Sequence, residues 1–309
     1  MNRLSRRGFL KLTALAAACC GCADVTGETR ALAWGGPGRR PGEFIRPRAI
    51  GVHKGEVYVV DTTGRLQVFT PEGDFLRMWS LPDWENGTPT AVSFASDDRV
   101  LLADTHYSRI LEYSVDGDLL VSWGGYGEGP DRFVYPTDVE IGPAGEYVVS
   151  EYGMGAERVH VFAADRTFLR EWGGHGDAPG EFNRAMALAL TPDSRALVCD
   201  TGNHRVQIFS LEGEHIGMLG DPNAEPGGLR FPYDVSASIE GDIVVCEYGA
   251  NRLSLFNQDG AFVRHLGGPG RGPGQFSGPR GATVDVSGTL YVADTGNDRI
   301  QVIRSEAAA

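Results

Sequence analysis

From residue 31 onward, apolar and polar positions alternate in short runs that a glycine or a polar turn soon cuts off. Tyr233-Asp-Val-Ser-Ala237 shows the pattern, and Asp242-Ile-Val-Val-Cys246 follows it across Glu-Gly. Arg252-Leu-Ser-Leu-Phe256 and Ala261-Phe-Val-Arg-His-Leu266 come next, separated by Gln258-Asp-Gly260. A period of two gives a strand two distinct faces, so this stretch predicts four strands joined by tight hairpins. Pro71-Glu-Gly73, Val115-Asp-Gly117 and Leu211-Glu-Gly213 repeat the last of those turns elsewhere. No stretch beyond the first 22 residues sustains a helical period, which predicts an all-β chain.

The phrase of four strands occurs six times. Its second strand ends in an acid each time, at Asp61, Asp104, Glu151, Asp200, Glu247 and Asp294, spaced by 43, 47, 49, 47 and 47 residues. An arginine follows each acid, at Arg65, Arg109, Arg158, Arg205, Arg252 and Arg299. This period, with four short strands per unit, predicts a six-bladed β-propeller of antiparallel blades rather than a helical solenoid. The sixth repeat stops after its third strand at Ile303, while Arg30-Ala-Leu-Ala-Trp34 matches the fourth-strand phrase Leu169-Arg-Glu-Trp172. The N-terminal strand is therefore expected to complete the last blade and close the ring, leaving no open edge.

Val292-Ala-Asp-Thr-Gly-Asn-Asp-Arg-Ile-Gln-Val302 and Cys199-Asp-Thr-Gly-Asn-His-Arg-Val-Gln-Ile-Phe209 resemble NHL repeats. The linking loops Gly35-Gly-Pro-Gly-Arg-Arg-Pro-Gly-Glu-Phe44, Gly173-Gly-His-Gly-Asp-Ala-Pro-Gly-Glu-Phe182 and Gly267-Gly-Pro-Gly-Arg-Gly-Pro-Gly-Gln-Phe276 carry the same resemblance. It spans about residues 31 to 303 and implies the same six-bladed ring. The second repeat departs most, with Asp83-Trp-Glu-Asn-Gly-Thr-Pro in place of the Gly-rich loop.

The N-terminus changes the address of the molecule. Ser5-Arg6-Arg7-Gly8-Phe9-Leu10-Lys11, followed by the apolar run Leu12 to Cys20, resembles a twin-arginine export signal. The run is too short for a stable membrane span, so residues 1–22 are read as targeting sequence. Residues 23–29 are then a linker, 30–304 the propeller and 305–309 a tail. Two outcomes stay open: lipidation at Cys19 or Cys20, which would tether the domain to a membrane, or cleavage near Ala23, which would release it. Either way the expected location is the periplasm or cell envelope. The remaining cysteines, Cys199 and Cys246, sit at equivalent places in neighbouring repeats and are read as buried packing residues rather than a disulfide.

The chain carries a net charge of −13, and its first 22 residues hold basic residues but no acid, so the rest is more acidic still. Such a surface repels phosphate backbones and argues against nucleic-acid binding. The 43 glycines among 309 residues serve turns across the whole chain.

Two repeated features are read as framework. The acid and arginine of each repeat are expected to form a corner in which the carboxylate accepts turn N–H groups and the guanidinium bridges strands. Trp34, Trp79, Trp123 and Trp172 share one fourth-strand position and are expected to pack between blades. Function is sought where the copies differ. Propeller connectivity puts the linking loops, the acid-to-arginine turns and the starts of the inner strands on one face. Arg48, Asp138, Tyr233, Asp234 and Arg280, with Tyr152 and Tyr248 on adjacent turns, are the candidate partner-binding residues there.

Enzymatic readings are tested at the same positions. The peptidyl-hydroxyglycine amidating lyases, an NHL-like family, hold zinc through histidines that follow a proline. This chain has Pro47-Arg48, Pro89-Thr90, Pro136-Thr137, Pro232-Tyr233 and Pro279-Arg280 instead, so no zinc site is expected. No Gly-x-Ser-x-Gly elbow or P-loop is present, and no catalytic residue is assigned. No cofactor is expected either, with Ca²⁺ between Asp138 and Asp234 as the alternative. The sequence thus predicts an exported, monomeric, non-catalytic propeller that recognises a protein, peptide or envelope ligand on its loop face. The competing reading is a propeller-type lyase or hydrolase that uses the channel acids.

Overall fold

The computed structural model describes residues 29–153, 155–221 and 223–305, so residues 1–22, read above as an export signal, lie outside the described residues. Six four-stranded antiparallel sheets form the ring. In the fifth blade the strands are Pro232–Ala237, Ile243–Glu247, Arg252–Phe256 and Phe262–Leu266, counted from the channel outward. They match the alternating runs of the sequence to within a residue or two. Helical turns among the described residues are three 3-10 segments, Thr105–Tyr107, Thr201–Asn203 and Thr295–Asn297, each between an acid and its arginine.

The sixth blade is built from both ends of the chain. Thr29–Trp34 runs antiparallel to Arg299–Ser305, with Ala31 opposite Ile303 and Trp34 opposite Ile300. The expected closure by the N-terminal strand is therefore present, and the ring has no unpaired inner edge.

The tryptophans lock neighbouring blades together. Trp34 packs on Phe69, their ring centroids 4.7 Å apart, within a core shared by the sixth and first blades. Trp79, Trp123 and Trp172 do the same at the next interfaces. For Trp34, Trp79 and Trp172 the hairpin glycine of the following blade makes room for the ring: Gly73 has φ +95°, and a Cβ on it would lie 2.4 Å from Trp34. Here the Asx/Glu-Gly turn serves both hairpin geometry and packing. Cys199 and Cys246 are free and buried, as expected of packing residues.

All six corners form. Arg65 meets Asp61 at 2.9 Å, Arg109 meets Asp104 at 2.7 Å, Arg158 meets Glu151 at 2.7 Å and Arg205 meets Asp200 at 2.7 Å. Arg252 meets Glu247 at 2.7 Å and Arg299 meets Asp294 at 2.8 Å. The carboxylates also accept N–H groups of the incoming loop, from Ile45 onto Asp61 and from Asn183 onto Asp200. The same arginines hold the Gly-rich loops by their carbonyls, as Arg205 does at Ala178 and Glu181. Beneath each of four such loops a phenylalanine, Phe44, Phe133, Phe182 or Phe276, is fully buried. In the first of them a Cβ on Gly35 would lie 2.5 Å from Phe44, so glycine is required.

The second blade shows what the loop contributes. In its replacement loop the Gly87 amide bonds Trp84, no loop N–H reaches Asp104 among the described residues, and Arg109 reaches Asp83 as well as Asp104. One oxygen of Asp104 is left without a partner. Burial accordingly pushes this carboxyl up to about 6, against the pull of Arg109.

Candidate functional site

The inner strands do not start smoothly. Register shifts fall between Pro47 and Ala49, Pro136 and Asp138, and Pro232 and Asp234. Arg48, Thr137 and Tyr233 are the extra residues, released from the ladder at the channel mouth, and a bulge of this kind re-aims its side chain. Two places before Arg48 and Tyr233, Arg46 and Phe231 take an unusual backbone, with φ of 53° and 48°, and Arg184, at the equivalent place in the fourth blade, has 64°; all three lie in the left-handed region where large side chains are uncommon.

Arg48, Arg184, Phe231 and Tyr233 among these residues converge on one cleft of roughly 810 Å³, spanning the mouth ends of blades four, five, six and one. Arg48, Tyr233, Tyr248 and Arg280 line it, four of the seven candidates from the sequence. The Arg280 guanidinium lies 5.1 Å from the Tyr233 ring centre and 5.3 Å from that of Tyr248. The two rings are 6.0 Å apart. Stacking of this kind holds a planar cation in place without neutralising it. Arg280 and Tyr248 also form the wall of a second depression of about 390 Å³ that reaches Arg46.

The other three candidates lie elsewhere. Tyr152 sits one step round the rim, beside Tyr135, with the Arg184 guanidinium 5.3 Å from its ring centre. Asp138 and Asp234 line the narrow channel, a cavity of about 60 Å³, together with Glu140. Each aspartate clasps two backbone amides. Asp138 accepts from Val139 and, in the next blade, Leu188. Asp234 accepts from Val235 and, in the next blade, Ala282. Burial raises Asp234 to about 7, opposed by those amides. Burial and then the Asp234 charge raise Glu140 to about 8, and burial with the neighbouring carboxylates pushes Asp138 well above its ordinary value. Asp234 is half-buried, keeping some contact with water in the channel. No group of three or more metal-ligating side chains gathers among the described residues.

Arg184, His204, Arg230 and Phe231 also line the cleft and were not singled out from the sequence. His204 occupies the left-handed position after the 3-10 turn, and its Nδ1 accepts the Phe231 amide at 3.0 Å. Asn251 and Asp298 hold the next blades in the same way, through the amides of Gly278 and Arg46. With Nδ1 accepting, the neutral imidazole carries its proton on Nε2. The signal for these residues was available: the pairs Ile45-Arg46, Asn183-Arg184, Arg230-Phe231 and Ser277-Gly278 differ at one repeat position.

Comparison with known proteins bears on the fold. Residues 276–303 match the family model of the NHL repeat. No curated protein sequence matches the chain. Similar solved structures include a catalytically inactive virginiamycin B lyase from Staphylococcus aureus with quinupristin, at 16% identity and TM-score 0.62, covering 90% of this chain and 86% of that one. A gluconolactonase from Xanthomonas campestris shares 15% identity at TM-score 0.65, covering 90% of each chain. A protein of unknown function from Bacteroides thetaiotaomicron shares 12% identity at TM-score 0.69, covering 89% of this chain and 76% of that one. Identities this low speak for architecture alone. The chain is a six-bladed β-propeller, closed by its N-terminal strand and carrying an NHL repeat at residues 276–303.

Proposed function

We propose that this propeller is an exported recognition domain whose mouth cleft binds a peptide, protein or cell-envelope ligand. The observation that carries the reading is the stacked Tyr233–Arg280–Tyr248 group in the wall of a cleft large enough for a small ligand or a side-chain cluster. It stands where the copied framework stops being copied, and tyrosine and arginine are the residue types that most often anchor interfaces. Export rests on the Ser5 to Lys11 phrase. The test is affinity capture from envelope fractions with the parent, Tyr248→Ala, and Asp116→Ala with Asp259→Ala on the opposite-face hairpins. Capture lost only in Tyr248→Ala supports the reading. Capture lost only in the hairpin variants moves the binding face to the other side. Separately, Arg6→Lys with Arg7→Lys should strand precursor in the cytoplasm.

A second reading has its own observation. Glu140 and Asp234, held near 8 and 7, are positioned to keep protons at neutral pH inside the channel, as a general acid must. The likeness to a lyase and a gluconolactonase supports asking for cleavage of lactones and cyclic esters. Turnover by the parent that disappears in Glu140→Gln would favour this reading over recognition alone.

A further inference from the structure

The mouth cleft gathers positive charge with nothing to balance it. Arg48 and Arg280 line its end at blades one and six, and Arg184 and Arg230 its end at blades four and five. None of the four pairs with a carboxylate among the described residues, and no Asp or Glu lines the cleft. This is unusual for a chain with a net charge of −13, whose corner arginines are all paired. The Nε–H groups of Arg48 and Arg280 are buried and meet no acceptor among the described residues, so the cleft holds donors whose desolvation is uncompensated. The field of Arg48 is felt next door: burial first, and then this guanidinium, hold His106 below its ordinary value.

The remaining lining is of a different kind. Phe231 and Tyr248 are 47% and 41% exposed, offering apolar faces between the charged ends. The His204 ring, oriented by the Phe231 amide, contributes Nε2–H as a further donor. Guanidinium groups match the two oxygens of a carboxylate or phosphate with paired N–H donors. An acidic exterior around a basic hollow also focuses the field into the cleft.

Resting on the reading of this cleft as the recognition site, we propose that its ligand is a small ring-bearing molecule with two oxyanion groups, carboxylate or phosphate. One group meets Arg48 and Arg280, the other meets Arg184 and Arg230, and the ring lies against Phe231 and Tyr248. The two pairs come from separate blades, so the rigid ring sets the spacing between the anions and selects against ligands with a single charge.

Calorimetric titration at fixed ionic strength with phthalate, phenylene bisphosphate and benzamide tests this, because the three share a ring and differ in charge. Phthalate and phenylene bisphosphate should bind at least tenfold more tightly than benzamide. Arg280→Gln and Arg48→Gln should each weaken the charged probes at least tenfold and leave benzamide unchanged. Tyr248→Ala should weaken all three, and Arg271→Gln, in an exposed linking loop, none. The order of the two charged probes separates carboxylate from phosphate recognition. Benzamide binding as tightly as phthalate, with loss only in Tyr248→Ala, overturns the anion inference while the cleft remains the binding site. Charged probes that bind indifferently to Arg48, Arg280 and Tyr248 overturn both. No binding of any probe in the millimolar range overturns the anion inference, and capture by the Tyr248→Ala comparison then decides the cleft itself.

Discussion

The corner of each blade and the mouth of the channel are built from the same residue type put to opposite uses. Arg205 at a corner touches Asp200 and two loop carbonyls, and it is almost wholly buried. Arg280 at the mouth, from an equally regular repeat, touches two aromatic rings and no carboxylate. The corner arginine is consumed in holding its loop. The mouth arginine is held in place with its charge unspent. Repetition marks the first kind and departure from repetition the second, so the copy number of a residue, rather than its chemistry, separates scaffold from site in this molecule.

The comparison breaks first at the corners. Asp200→Ala removes the fully buried partner of Arg205 and the acceptor of the Asn183 amide, and is expected to cost roughly 3–5 kcal/mol in denaturant unfolding. A loss below about 1 kcal/mol would mean that the corners carry less of the frame than their geometry implies. Next comes the turn that receives a tryptophan. Gly73→Ala places a Cβ against Trp34 at positive φ and should cost about 2 kcal/mol, whereas Gly42→Ala, also at positive φ but with open space around it, should cost only about 1 kcal/mol.

The channel carboxyls give a smaller, pH-dependent effect. Folding raises Glu140 to about 8 and Asp234 to about 7, so the native chain keeps protons that the unfolded chain has released. Their contribution to stability is complete below about pH 4 and is lost as pH rises through the folded values. Glu140→Gln should flatten that decline. It should match the parent below about pH 4 and exceed it by a margin that grows as pH rises to about 8.5; equal stability of the two proteins across that range would show that Glu140 is not held protonated. The smallest effect belongs to the mouth. Arg280→Gln should shift stability by no more than about 0.5 kcal/mol while weakening charged ligands. A destabilisation comparable to that of Asp200→Ala would show that Arg280 belongs to the frame after all.

The frame was legible in the sequence because each of its rules is stated six times. Strand order, ring closure by Ala31 to Trp34, the corner pairs and the tryptophan joints all follow from self-comparison. The site was legible in part. Arg48, Tyr233, Tyr248 and Arg280 come together as the face assignment expected. Asp138 and Asp234 lie deeper, because the bulge that releases Thr137 and Tyr233 turns the next residue toward the amides of the adjoining blade. Alternation alone does not show a bulge, since the extra residue shifts every side chain after it to the other face. Arg184, Arg230 and Phe231 were missed because they stand in the loop before the strand, where composition reads as turn.

The joining of Thr29–Trp34 to Arg299–Ser305 has a consequence for how the molecule is made. Thr29–Trp34 is translated before the other five blades and its partner strand after them, so it is the last of these strands to find a neighbour. The entropy of so distant a closure grows only logarithmically with the length between, about 0.6 kcal/mol per doubling, so the delay is one of timing rather than of stability. Until then Trp34 has no settled neighbour strand, and the blades already formed present an open seam. A chain that stops before Arg299 yields a ring that cannot shut.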